Sequence, residues 1–208
     1  MMRSSPTAGS ANRSPVAGTV DRRGHGVNSE LTHLSTDPER FFARYRYPDW
    51  LVTHSRVVGR IAAAFVAARR PGAEAIDEQA VVLAAYLHDI GRSPLLAGDP
   101  HDHNILSALV LAAEGLEQCV EPARRHAIYT VLDPALAPRT FAEKLVYVAD
   151  RRGGQAVEPL EERARDTALR NPKFAAEIER AVPIAKKLER EVFAQLMFAP
   201  EDLAERLP

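Results

Sequence analysis

The sequence predicts an all-α fold, a compact multi-helix bundle preceded by a disordered N-terminal tail. Three observations predict it. From about residue 36 onward, apolar residues recur at steps of three and four, as on one face of an α-helix. Helix starters such as Asp or Thr before Pro, and stoppers such as Gly and Pro, separate these stretches. No segment shows the apolar–polar alternation of a half-buried strand, and there is no internal repeat or Gly-rich phosphate loop.

Composition narrows the class further. A chain of 208 residues with 46% apolar content is long enough for one domain with a sizeable core. A net charge of −1 gives no basic field for a nucleic acid polymer. Lysine is scarce beside arginine, which reads as coding habit. The single cysteine, Cys119, excludes an intrachain disulfide and fits a reducing compartment. No apolar run approaches the roughly 18 residues of a membrane span. The opening Met-Met-Arg-Ser-Ser-Pro lacks the apolar stretch of a secretory signal, so the expected location is cytoplasmic.

Residues 1–35 are rich in Ser, Gly, Pro, Arg and Thr without apolar periodicity, and read as a disordered tail containing His25 and His33. Order is expected from Thr36-Asp37-Pro38-Glu39, an N-cap followed by Pro in the first turn. Phe41, Phe42 and Tyr45 make the stripe of that first helix, which Pro48 stops. Asp49 is placed as the cap of the next helix, whose stripe is Leu51, Val58, Ile61, Ala62, Phe65 and Val66. His54 sits at the start of this stripe and points inward or to the edge of the core.

Asp77 opens a third helix that runs through Ala80–Leu87 to His88-Asp89, with Gly91 placed as its C-cap residue. Residues 92–100 read as a loop. His103 then opens a helix closed by Gly115, and a short helix from about Glu117 to Thr130 carries His126. The helix from about Thr140 buries Phe141, Leu145, Val148 and Ala149, and sets Glu143, Tyr147 and Asp150 on a different face. After Gly153-Gly154 come charged helices over about 157–170 and 173–198, with Pro183 expected to break or kink the second. The organisation expected is a core at 36–155 with residues 156–208 packed on it.

The chemistry concentrates in His54, His88, Asp89, His103, His126 and Asp150, ionisable residues on apolar faces or at helix ends. Singly, each has an ordinary structural reading: a satisfied core histidine, a helix cap, or a carboxylate paired with Arg92, Arg151 or Arg152. As an ordered set they read differently. Imidazoles with carboxylates suit Zn, Fe or Mn rather than an all-oxygen Ca site.

His54…His88-Asp89…Asp150 resembles the His…His-Asp…Asp signature of the HD-domain metal-dependent phosphohydrolases, an all-helical superfamily. Thr53-His54-Ser55-Arg56-Val57-Val58, Leu87-His88-Asp89-Ile90-Gly91 and Lys144-Leu145-Val146-Tyr147-Val148-Ala149-Asp150 carry the resemblance, which covers about residues 40–155. It implies one metal held by His54, His88, Asp89 and Asp150. Asp89 would bridge to a second ion held by His103 and His126. His101 is the rival of His103, which is preferred. The implied cofactor is a divalent transition metal in two copies, Fe or Mn, with Zn, Ni or Co as alternatives. A single ion would need only His54, His88, Asp89 and Asp150 and leave the other histidines to contact substrate.

The implied activity is hydrolysis of a small phosphoester or phosphoanhydride, a nucleotide above all, by metal-activated water. Asp89, Arg92 and Lys144 are the implied catalytic residues, and Arg92, Lys144 and Arg151 the implied substrate-binding cations, Arg92 first because guanidinium pairs bidentately with phosphate. The pattern is nearest to the HD-type symmetrical dinucleoside tetraphosphate hydrolases. It departs from them after the final Asp, where Arg151-Arg152-Gly153-Gly154-Gln155 stands in place of a Pro-x-Arg element. Two other readings use the same residues: a mixed-valent di-iron oxygenase, and a non-catalytic metal- or nucleotide-binding module. No Gly-Tyr-Pro follows His-Asp-Ile-Gly, against the cyclic-dinucleotide branch, and the chain is too short for the long alarmone hydrolases. The C-terminal helices are left as a lid on the site or a homodimer surface.

Overall fold

The computed structural model describes residues 37–208. The tail expected over 1–35, with His25 and His33, lies outside the described residues. Helix α1 (Pro38–Arg44) starts where the cap pattern places it, with the Asp37 carboxylate accepting the Glu39 N–H at 3.0 Å. Helix α2 (Asp49–Ala67) follows Pro48, whose extended backbone takes the cap position. Asp49 therefore stands in the first helical turn rather than capping it, where its charge still complements the helix dipole. Helix α3 (Glu78–Leu87) is capped by Asp77, which accepts from Ala80 N at 2.9 Å.

Two short 3₁₀ turns (Ile90–Arg92 and Pro94–Leu96) lead towards α4 (His103–Ala113) and α5 (Glu117–Arg124). Gly91 does not close α3 as expected. It sits inside the Ile90–Arg92 turn, and close approach is what demands glycine there. A Cβ would run into the His103 carbonyl oxygen and meet Ser107 N at 2.7 Å. The Gly91 N–H instead donates to Ser107 Oγ at 2.9 Å.

The helix expected over Glu117–Thr130 is also shorter than its pattern. α5 stops at Arg124, and a 3₁₀ turn (Ile128–Leu132) follows, so His126 lies in the connection between them. Thr130 Oγ1 lies 2.9 Å from the Arg125 carbonyl and 2.7 Å from that of Ala127, capping groups that a continued helix would have used. Helix α6 (Phe141–Arg152) opens with a capping box between Thr140 and Glu143. Helices α7 (Leu160–Arg170) and α8 (Ala175–Phe193) complete the bundle. α8 runs through Pro183 without the expected break, giving up one backbone hydrogen bond.

Helix α2 packs on α3 and α6, α4 packs on α5 and the Ile90–Arg92 turn, and α8 packs on α6, α7 and the Ile128–Leu132 turn. Leu51, Val58, Ile61 and Phe65 of α2 are wholly buried, as are Leu87 of α3 and Leu145 and Val148 of α6. Each such side chain contributes roughly 1.5–3 kcal/mol by leaving water. The Phe65 ring meets Phe193 edge-on with centroids 5.3 Å apart, which joins the C-terminal helix to the central one. Among the described residues no strand forms. Two isolated backbone bridges form, Arg69 with Leu196 and Gly153 with Val157. Nor is any described helix long and apolar enough to cross a membrane.

Candidate metal centre

Five pieces of chain converge on one buried point. His54 comes from the inward face of α2, His88 and Asp89 from the end of α3, and Asp150 from the last turn of α6. His103 is the first residue of α4, and His126 follows α5. His54, His88, Asp89, His126 and Asp150 are each no more than 5% exposed. The rings form a chain, His54 to His88 to His126 to His103, with successive centroids 5.1, 4.7 and 5.2 Å apart.

Which nitrogen faces inward is set by backbone carbonyls. His88 Nδ1 lies 2.7 Å from the Ala85 carbonyl and His126 Nδ1 lies 2.5 Å from that of Ala123. A carbonyl only accepts, so Nδ1 carries the proton and Nε2 presents a lone pair. His54 Nδ1 makes the same contact with the Gly154 carbonyl at 3.3 Å. The Nε2 atoms of His54 and His88 then face each other at 3.1 Å, and Asp150 Oδ1 lies 3.4 and 3.7 Å from them.

Asp89 divides the cluster. Its Oδ2 is 3.6 Å from His54 Nε2 and 3.8 Å from His88 Nε2. Its Oδ1 is 3.2 Å from His126 Nε2 and 3.5 Å from His103 Nε2. Oδ1 is buried and accepts no well-directed hydrogen bond, although Arg92 Nε approaches to 2.8 Å. Arg92 and Arg151 balance the two carboxylates in charge, but the inward imidazole lone pairs face one another and Asp89 Oδ1 without a well-directed donor, which a divalent ion would satisfy. His54, His88 and Asp150 bring three ligand atoms close enough to hold one ion, and so do His88, Asp89 and His126.

The electrostatics agree with ligands ready for metal. Burial pushes His88 down to about 4 against the pull of Asp89 and Asp150, so its imidazole is neutral near pH 7. Burial likewise lowers His103, to about 3. For Asp89, burial alone would favour the protonated acid. Arg92 and then His88, His126 and His103 outweigh it, and the carboxyl stays well below its ordinary range. Asp150 behaves the same way, with Arg151 the principal counter-charge to burial.

Residues 51–153, a stretch containing all six of these side chains, match the family model of the HD domain. This stretch, just under half of the chain, is similar to the HD domain. Among curated proteins and among solved structures, nothing matches the chain. HD domains are all-helical, bind divalent metals, and belong mostly to metal-dependent hydrolases.

Within the matched stretch the remaining sequence candidates part company. Arg92 reaches the cluster, with Nη2 donating to His103 Nε2 at 3.0 Å and its side chain about two-fifths exposed. It also lines a cleft of about 410 Å³ with Gly91, Leu96, His101 and His103. Arg151 is turned inward: it pairs with Asp150 Oδ2 and lies over the Tyr147 ring, 5.4 Å from its centroid.

Lys144 is not brought to the cluster. It lies six residues before Asp150, so it leaves α6 roughly 120° away from it, and its Nζ binds Glu191 of α8 at 2.7 Å. Between the rival histidines, His103 is the one in the cluster. His101 is held in the preceding loop by Asp99, Nδ1 to Oδ1 at 2.7 Å. Three contributors are absent from the sequence candidates: the Gly154 carbonyl that orients His54, the Ser107 hydroxyl under Gly91, and Trp50 in the wall of the cleft. The first two act through backbone proximity, which side-chain pattern does not encode. Trp50 had a usable signal, its position four residues before His54 on one helix face.

Proposed function

We propose that this protein is a metal-dependent phosphohydrolase of small phosphoesters or phosphoanhydrides, nucleotides among them. The observation that carries this reading is the two-sided Asp89 carboxylate, with one oxygen towards His54 and His88 and the other towards His126 and His103. In this reading His54, His88, Asp89 and Asp150 hold one divalent ion, and Asp89, His103 and His126 hold a second. Imidazole and carboxylate together suit Fe or Mn.

Bound ions supply Lewis acidity, which makes water a nucleophile near neutral pH and neutralises charge on a phosphoryl group. The chain's own residues do the rest. The carbonyls of Ala85, Ala123 and Gly154 fix three imidazoles in the metal-binding tautomer. Arg151 occupies Asp150 Oδ2 and leaves Oδ1 to the cluster. Arg92, at the border of cluster and cleft, is placed to receive a phosphate with its guanidinium. Arg151 serves Asp150 in this account, and Lys144 serves the α6–α8 contact.

The test is elemental analysis of protein purified without chelators, together with phosphate release from a nucleotide panel. About two equivalents of divalent metal with phosphate release are expected. About one equivalent would reduce the site to His54, His88, Asp89 and Asp150. Oxygen consumption without phosphate release would replace the hydrolase with an oxygenase, and absence of both metal and turnover would overturn the reading.

A further inference from the structure

Trp50 is the second residue of α2, next to the buried Leu51, yet it is turned outward and is 50% exposed. It stacks on no other ring among the described residues. Trp50 lines the open cleft of about 410 Å³ that also contains Arg92 and Leu96. Its position is fixed from two sides. The Trp50 carbonyl accepts from Gln155 Nε2 at 3.1 Å, and the helix sets it one turn before His54. Trp50 and Gln155 both lie just outside the stretch that matches the HD domain.

We infer that Trp50 is a specificity residue: the indole selects phosphoesters that carry a planar aromatic group, a nucleoside phosphate being the class. The inference rests on the hydrolase reading above. A large indole left half in water gains most from a flat ligand that covers it. A base stacked on Trp gains from the ring–ring contact beyond the area it buries, which a saturated group does not. The same cleft presents the Arg92 guanidinium beside the His/Asp cluster. Base and phosphate of one ligand would then find an apolar face and a cation in a single opening.

The test uses the fact that Trp50 is the chain's sole tryptophan. Intrinsic fluorescence of the metal-loaded protein is titrated with adenosine 5′-monophosphate and, separately, with ribose 5-phosphate, exciting where the nucleotide does not absorb. Saturable quenching by the nucleotide alone is expected. In parallel, phosphate release is measured for both compounds. Trp50→Ala is expected to lower the preference in kcat/KM for the nucleotide roughly 5- to 100-fold, mainly through KM, with Trp50→Phe retaining most of it.

Turnover without quenching, and with an unchanged preference in Trp50→Ala, would overturn the role of Trp50 and leave the hydrolase standing. Quenching by the nucleotide in a protein that releases no phosphate would keep the aromatic site and overturn the hydrolase. Absence of both signals would overturn both.

Discussion

His54 and His88 point their Nε2 atoms at each other across 3.1 Å while their Nδ1 atoms face the carbonyls of Gly154 and Ala85. Two lone pairs at that separation repel, and the carboxylates of Asp89 and Asp150 add negative charge beside them. The folded chain therefore favours a cation at this point over none. Metal should raise thermal stability by mass action. At a free concentration about 100 times Kd the gain is about 2.7 kcal/mol, or roughly 5–10 °C for a domain of this size. Thermal melts of chelator-treated protein titrated with Mn²⁺ should show the rise, and a melting temperature indifferent to Mn²⁺, Fe²⁺ and Zn²⁺ would contradict a metal centre.

The division of Asp89 between two histidine pairs predicts unequal losses. His126→Ala removes a ligand from one side only, so it should cost about one equivalent of metal and spare the other, which His54, His88 and Asp150 still surround. Asp89→Asn touches both sides and should lower both. Metal-to-protein ratios of the purified variants, with circular dichroism as the control for folding, decide the matter. Equal loss in both variants would mean a single undivided site.

Much of this arrangement was legible in the sequence, and the reasons are local. His88-Asp89 at the end of an apolar helix, His54 on an inward face and Asp150 offset from a core stripe are all facts of helical spacing. What the sequence hid depends on individual hydrogen bonds that helical periodicity does not encode. The stop of α5 before His126 rests on Thr130 reaching back to Arg125 and Ala127, while Asp99 holds His101 in the loop, in keeping with the preference for His103. Lys144 is different, since the angle along α6 alone turns it away from Asp150. Closeness in sequence is not closeness in space on this helix. Arg151 shows the converse, a neighbour of Asp150 that packs inward to pair with it.

Gly91 offers a test of how the turn and α4 set the position of His103. Any side chain there would collide with the His103 carbonyl and crowd Ser107 N. Gly91→Ala should force the turn away from α4 at a cost of roughly 1–3 kcal/mol, as for overpacking in a tight core. It should also weaken metal binding on the His103–His126 side before the other. Ser107→Ala keeps the space and removes only the bond to Gly91 N, so about 1 kcal/mol is expected with metal content unchanged. Urea unfolding with metal analysis separates the two, and equal metal loss would show that space is not the cause.

Arg152 ties the C-terminal segment to the metal-bearing helix. Its guanidinium binds Glu189 Oε1 at 2.9 Å and the carbonyls of Glu158 and Pro200 at 2.8 and 2.9 Å. Both Arg152 and Glu189 are buried, so removing one partner strands the other. Arg152→Met should cost roughly 3–5 kcal/mol, and a further Glu189→Met change should recover much of it by leaving no charge unpaired. Because Gly154, two residues on, orients His54, the single variant should also bind metal more weakly than the double one. Calorimetry would show one cooperative transition displaced in Arg152→Met and partly restored in the pair. Two separate transitions, with metal lost only in the second, would mean that residues 156–208 fold apart from the HD-like stretch and leave its metal centre unaffected.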